Sequence, residues 1–231
     1  MRTLGLLGGM SWESTSVYYR LLNQIARERL GGHHSAKLVI WSADFAPIAN
    51  LQAAGEWDAA TTVLVEAARA LERVGAEGLL ICANTMHRMA SEIEAAIAIP
   101  LLHVADATAR ALLSAGSRRP LLLATRFTME ESFWRDRLAA GGVEAIIPPP
   151  PDRERLHAII YDELVQGRFE AASRAQVIAI AERQVKERGA DGVILGCTEF
   201  GLLVEPADLS VPMFDTTVIH AQAGVDFALK A

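Results

Sequence analysis

Two stretches of the chain hold residues whose types and spacing suit chemistry. They are "GLLICANTMH" at 78–87 and "GVILGCTEF" at 192–200. Each is an apolar run of strand length that stops at a cysteine beside hydroxyl, amide or carboxyl side chains. Together they contain the 2 cysteines of the sequence, Cys82 and Cys197. Cys197 follows Gly196 and precedes Thr198 and Glu199, which reads as a strand end followed by a helix start. The free N–H groups and dipole of a helix N-terminus favour a thiolate there. Thr198 and the same N–H groups suit a bound carboxylate. A lone cysteine can also be a small buried hydrophobe, but the flanking glycine and the Thr-Glu pair favour the reactive reading.

Competing chemistries find less support. Lys37 precedes a strand, Lys186 lies in a charged helix and Lys230 is next to the C-terminus. None is placed like the Schiff-base lysine of a pyridoxal-phosphate enzyme. The 6 histidines, His33, His34, His87, His103, His157 and His220, show no metal-ligand spacing. "GLLGGM" lacks the full dinucleotide fingerprint. The expectation is thiol chemistry on a small ligand, without a cofactor or a metal.

The elements that must position these residues alternate along the chain. "RTLGLLGG" reads as a strand and "SWESTSVYYRLLNQIARERLGG" as a helix, with Ser11 or Ser14 as N-cap and Gly31 as the stop. The strand "AKLVIWSADF", the helix "EWDAATTVLVEAARALERVGA", the strand "EGLLICAN" and the helix "HRMASEIEAAI" follow. From Pro100 a second pass runs through a strand in "PLLHVAD", a helix in "ATARALLSAG", a strand in "RPLLLAT" and a helix in "TMEESFWRDRLAAGG". Pro148 to Pro151 read as a stiff connector rather than an element. Two helices ("RERLHAIIYDELVQG" and "EAASRAQVIAIAERQVKERGA"), the strand "DGVILGC", a short strand at "VPMFD" and the helix "TTVIHAQAGVDFALK" complete the chain. The pattern predicts an α/β protein of two pseudo-symmetric lobes, each a mostly parallel sheet flanked by helices. The expected boundaries are 1–99 completed by 213–231 for one lobe, and 100–212 for the other. Both cysteine turns then lie at carboxyl ends of strands, where open α/β sheets bind ligands, and the expected active site is a cleft between the lobes.

Composition agrees with a compact soluble chain: 231 residues, 51% hydrophobic and 22% charged. The net charge of −6 offers no basic field for nucleic acid or an anionic membrane. No apolar run approaches the roughly 20 residues of a bilayer span. "MRTLGLLGGM" is too short and glycine-interrupted for a secretory signal. With 2 cysteines there is no disulfide framework. A cytoplasmic location is expected.

Taken in order, "GLLGGMSWEST", "AGEWDAA", "CANTMH", "LHVADAT", "ATRFTME", "GCTEFGLLV" and "FDTTVIHA" resemble the aspartate/glutamate racemase superfamily. The resemblance covers almost the whole chain and is strongest to the broad-specificity or L-aspartate/glutamate-type branch. It implies proton transfer at the Cα of an amino acid without pyridoxal phosphate, usually in a homodimer. Two acid–base groups act on opposite faces of the substrate. The second-lobe group maps to Cys197, which serves the L-face. The first-lobe group is the residue immediately before Asn-Thr, cysteine or threonine in that branch; here it is Ala83. Cys82 is one place earlier, and a one-residue step along a strand turns a side chain to the other face. Cys82 is therefore expected in the core.

The resemblance also assigns substrate-binding positions: Met10 and Ser11 in the first loop, Gln52, Asn84 and Thr85 in the first lobe, and Thr198 and Glu199 in the second. Gln52 stands where some aspartate racemases have arginine, so no fork-shaped cation meets a distal carboxylate there. Thr125 and Thr128 are weaker candidates, and Arg168 reads as solvated. Asp106 and Asp215 are expected as helix caps, and Trp12, Trp57 and Trp134 as core or interface. Alanine carries no transferable proton, so inversion is expected to be impaired. Two other readings stay open: a single-cysteine decarboxylase or isomerase acting on a dicarboxylic acid, and a silent amino-acid-binding protein.

Overall fold

A computed structural model describes residues 1–230. In chain order its elements are β1 (Leu4–Gly8), α1 (Trp12–Leu30), β2 (Leu38–Ser42), α2 (Phe45–Ala54), α3 (Trp57–Arg73), β3 (Gly78–Ile81), α4 (Ala90–Ala96), α5 (Val104–Ser114), β4 (Leu121–Leu123), α6 (Arg126–Glu130), α7 (Ser132–Ala140), α8 (Pro150–Asp162), α9 (Ala171–Arg188), β5 (Val193–Leu195), β6 (Met213–Asp215) and α10 (Thr216–Leu229). Short 3₁₀ turns at Thr85–Met89 and Thr198–Leu202 follow β3 and β5. No described helix is long and apolar enough to cross a membrane.

The chain forms two compact units, Met1–Val104 with the segment from His220 onward, and Ala105–Ile219. Each is built on its own parallel sheet, ordered β2-β1-β3 in the first and β4-β5-β6 in the second. Single bridges extend both: Leu101 pairs with Leu79 beside β3, and Ile146 pairs with Leu121 beside β4. With these bridges included, each sheet has its chain segments in the order second, first, third, fourth. The internal similarity suggested by the sequence is thus a shared strand order.

The units exchange the chain at 104/105 and 219/220, later than the expected 100 and 213. Backbone hydrogen bonds explain both differences. Leu102 N–H donates to Leu79 O at 2.9 Å, which holds residues 100–104 to the first sheet. Hydrogen bonding of β6 to β5 holds 213–219 to the second. The run "PLLHVAD" supplies a single bridge at Leu101 and no full strand. The four prolines also differ from expectation: Pro149 is the N-cap of α8, and Pro150 and Pro151 open the helix. A fixed φ and a missing N–H cost nothing in a first helical turn.

In the first unit β1 and β3 are buried on both faces, while the edge strand β2 is only partly covered. Leu7, Leu79, Ile81 and Ala83 join the cluster packed under α3 with Leu64 and Leu71. Leu4, Leu6, Leu80 and Cys82 join the opposite cluster with Tyr18, Leu22 and Val225. This is the period-two alternation of a strand, and it separates Cys82 from Ala83.

Candidate active site

The sheet ladders align the two strand ends residue by residue. In the first unit Leu7 pairs with Ile81, and Cys82 N–H donates to Leu7 O at 2.9 Å. In the second, Leu123 pairs with Leu195, and Gly196 N–H donates to Leu123 O at 2.7 Å. Cys82 therefore occupies the ladder place of Gly196, and Ala83 that of Cys197. The 3₁₀ turn starts one residue later relative to the ladder in the first unit. The ladder is the better guide because it determines which face a side chain takes. Cys82 is fully buried, and burial pushes its thiol far above the ordinary range.

In the first unit, β1 ends in a turn that only glycine can make. Gly9 has φ +86°, and a Cβ on it would lie 2.1 Å from the Ala43 backbone nitrogen. Its N–H donates to Thr15 Oγ1 at 2.8 Å, and that hydroxyl donates to Ser11 O at 3.0 Å. Met10 and Ser11 are buried in this turn. Ser11 is the N-cap of α1: its Oγ accepts from Ser14 N–H at 3.4 Å. Gln52, on α2, is brought to the turn after β3, with Nε2 3.9 Å from Met86 Sδ. It is 4% exposed, and its Oε1 has no hydrogen-bond partner. Ala83, Asn84 and Thr85 are buried at the same turn.

His87 ties this turn to the body of the unit. Val104 N–H donates to its Nε2 at 3.3 Å, so the ring proton sits on Nδ1 and is donated to Ala83 O at 3.1 Å. The His103 ring lies 4.5 Å from that of His87, and the His220 ring 5.7 Å from it. His220 Nε2–H donates to Leu102 O at 2.5 Å, and Nδ1 accepts from the Tyr18 hydroxyl at 2.8 Å. Burial pushes His220 down to about 4. Sequence spacing did not reveal this trio, because the fold brings together residues from three separate segments.

In the second unit Cys197 and Glu199 form a buried pair, 7% and 4% exposed. The Cys197 thiol donates to Glu199 Oε2 at 3.0 Å, and the Thr198 hydroxyl donates to the same oxygen at 2.8 Å. Burial, then the Glu199 charge and its hydrogen bond, push the Cys197 thiol well above its ordinary value. This corrects the expectation of a thiolate favoured by a helix start. The element after Cys197 is a five-residue 3₁₀ turn, too short for a substantial dipole, and the nearest charge is negative. The arrangement is a thiol with its proton acceptor already in contact.

Other residues selected from sequence have structural roles in plain view. The Thr125 side chain accepts from Thr128 N–H at 3.3 Å at the start of α6. Asp215 Oδ1 accepts from Thr217 N–H at 2.8 Å at the start of α10. Asp106 lies in the first turn of α5 and takes a two-pronged hydrogen bond from Arg137 at 2.7 and 2.9 Å. Arg168 is exposed and donates to Asp162 O. Trp134 is fully buried, Trp12 is 63% exposed, and Trp57 lies under Arg88 at 4.4 Å.

Tyr161 and His157 were not selected from the sequence. They stand one helical turn apart on α8 with ring centroids 4.6 Å apart. Arg126 N–H donates to His157 Nδ1 at 3.3 Å. Burial first, then the Arg126 charge, push His157 down. Burial and then the charges of Cys197 and Glu199 push the Tyr161 phenol up to about 12. The available signal was the pair at i and i+4 in "HAIIY".

The doubled parallel sheets and strand-end turns place this chain in a known class: it belongs to the Asp/Glu/Hydantoin racemase family, whose model matches residues 7–224. The chain is 48% identical to a candidate Asp/Glu racemase from Yersinia pestis over the whole of both chains, with a TM-score of 0.92. It is 33% identical to an aspartate racemase homologue from Pyrococcus horikoshii, again over both whole chains, with a TM-score of 0.87. The broad specificity amino-acid racemase RacX of Bacillus subtilis is 20% identical over 96% of each chain.

Proposed function

We propose that this protein is an amino-acid racemase-type enzyme that moves the Cα proton of glutamate, aspartate or a related amino acid, with Cys197 as the base and no pyridoxal phosphate. The observation that carries the reading is the Cys197 Sγ–Glu199 Oε2 contact of 3.0 Å at the end of β5. Glu199 takes the thiol proton, and the thiolate so formed takes the proton from Cα. The electron pair left by the C–H bond delocalises into the α-carboxylate. Reversal returns a proton, by then exchanged with solvent, to the same face. Ala83 holds the ladder place of Cys197 in the first sheet and can neither give nor take a proton, so inversion is slow.

Gln52 fits the substrate-binding role. Its unsatisfied, buried Oε1 is an acceptor suited to an ammonium group, and a buried acceptor gains about 1–3 kcal/mol when satisfied. Met10, Ser11, Asn84, Thr85 and Thr198 complete the proposed binding set. Lysine placement supports the cofactor-independent reading, and the family resemblance supports a cytoplasmic homodimer, checked by sedimentation. A second reading is favoured by Ala83 alone: a one-cysteine decarboxylase needs no opposite-face acid, and carbon dioxide release would reveal it.

The test is incubation of L- and D-glutamate and L- and D-aspartate in heavy water, with exchange followed by NMR and configuration by chiral chromatography. Exchange at Cα of an L-isomer, with the opposite enantiomer accumulating much more slowly, is expected. Rapid inversion from both enantiomers would overturn the assignment of Ala83. No exchange from any of the four would overturn the role of Cys197.

A further inference from the structure

We infer that an open groove on the first unit, between the outer face of α1 and the loop that leads into β2, binds a phosphate-bearing small molecule. Its volume is about 470 Å³, within the range of about 300–1,000 Å³ usual for small-molecule sites. The inference does not depend on the Cys197 reading. The groove lies where α1 ends and β2 begins, whereas the turns of the candidate site follow the ends of β1 and β3. α1 starts at that site with Ser11 as its cap and runs 19 residues, ~28 Å, away from it.

The charges in the groove are one-sided. Of the nine residues that line it, Arg20, Arg27, His33 and His34 carry or can take a positive charge, and none is acidic. The chain as a whole has a net charge of −6. Elsewhere Arg29, Arg137, Arg153, Arg174 and Arg183 each reach a carboxylate. Among the described residues, no carboxylate or other acceptor holds the side chain of Arg20, Arg27, His33 or His34. Arg27, in the last turn of α1, also suits the helix dipole. Arg20, near the middle of the helix, and the two histidines beyond its end are not explained that way. Grouping unpaired like charges costs stability, and an anion bound to the folded state offsets that cost.

The walls of the groove are held in place by the fold itself. Asn23 uses both ends of its amide on the scaffold: Nδ2 donates to Tyr19 O at 2.7 Å, and Oδ1 accepts from Ala36 N–H at 3.1 Å. That ties the loop to the helix. Gly31 N–H donates to Arg27 O at 2.8 Å, and Gly31 and Gly32 take φ of +76° and +57°. This left-handed pair turns the chain so that His33 and His34 come back beside α1. A phosphate suits such a wall, with about two negative charges and three acceptor oxygens near neutral pH, and arginine forks bind it in pairs. Tyr19, 53% exposed at the edge of the groove, offers a stacking surface for a planar ring carried by the same ligand.

The experiment measures binding of inorganic phosphate, adenosine 5′-monophosphate and succinate to the whole chain by calorimetry at low ionic strength. Wild type is compared with Arg20→Gln/Arg27→Gln and with Tyr19→Leu. The substituted side chains are exposed, so thermal midpoints stay within about 2 °C of wild type. Phosphate should bind wild type about tenfold more tightly than succinate, and the double variant should lose about tenfold or more of that affinity. Adenosine monophosphate bound about fivefold more tightly than phosphate, with the gain lost in Tyr19→Leu, identifies a nucleotide-like ligand. Equal binding of the two identifies free phosphate as the source. No phosphate binding at millimolar concentration, affinity unchanged in the double variant, or succinate bound as tightly as phosphate would overturn the inference. Cys197→Ser should bind phosphate as wild type does, so this inference and the Cys197 reading fail separately.

Discussion

Glu199 determines what Cys197 can do. A thiol buried next to a carboxylate is a poor nucleophile, because burial and the neighbouring charge both oppose its ionisation. The same carboxylate, 3.0 Å away, is the shortest route for the thiol proton. These two effects make opposite predictions for Glu199→Gln. Removing the charge lets the thiol ionise more readily, so alkylation of Cys197 by iodoacetamide at pH 7.5 should accelerate severalfold. Removing the acceptor should slow Cα exchange by 10² or more. Peptide mass spectrometry separates Cys197 from Cys82, which is fully buried. Alkylation that slows in the variant would show that Glu199 is not what holds the thiol protonated. The sequence singles out Cys197 through its strand-end setting, and the family resemblance adds Glu199 as a substrate-binding position. It did not give the sign of their interaction, which depends on burial and on which oxygen faces the sulfur.

At the scale of elements, the turn after β1 and the return of α10 to the first unit are the most exposed to single changes. Gly9→Ala must open a 2.1 Å approach to Ala43 while holding φ +86°, and should cost more than about 3 kcal/mol in urea unfolding. A cost below 1 kcal/mol would mean the turn can relax. His220 makes a pH-dependent contribution. Its pKa falls on folding from 6.5 to about 4, so the folded state resists a proton that the unfolded chain accepts. The contribution is complete above pH 6.5 and is lost as pH falls towards 4, by about 3 kcal/mol. His220→Leu should be less stable than wild type at pH 7.5, because Tyr18 and Leu102 lose their partner. That gap should shrink steadily between pH 6.5 and 4.5. A gap constant with pH would show that His220 is not the titrating group.

Elements with strong periodicity or clear caps were legible in the sequence. α1 has its Ser11 N-cap, with the N–H of Gly31 bonded back to Arg27 O. Short elements governed by tertiary contacts were not. α2, which carries Gln52, was missed because Pro47 looks like a breaker, although it falls in the first turn of the helix. "PLLHVAD" has the apolar content of a strand but contributes one bridge. The prolines at 148–151 hide the helix they begin.

On the scale of the whole molecule, one strand order is used twice and its two equivalent ends differ in chemistry. The ladders give Ala83 and Cys197 the same place, each one residue beyond the last bond between the first and third strands of its sheet. Under the proposed function the repeat predicts more than the fold: an acid–base side chain at 83 should supply the second, opposite-face proton transfer. Ala83 is 9% exposed and packs in the cluster with Ile81 and Met86, so cysteine adds one sulfur atom at the ladder place that Cys197 holds in the other sheet. Ala83→Cys should raise the rate of inversion of L-glutamate or L-aspartate at least tenfold, because a positioned general acid contributes about 10²–10⁴. Exchange of the L-isomer should stay within a few-fold of wild type, since Cys197 and Glu199 are unchanged. Ala83→Thr should give a smaller gain, the hydroxyl being the weaker acid. Cys82→Ala provides the control: it alters the opposite core cluster and should cost stability without changing the ratio of inversion to exchange. If Ala83→Cys leaves that ratio at the wild-type value, the two ladder places are equivalent in geometry only, and the opposite-face proton comes from another group.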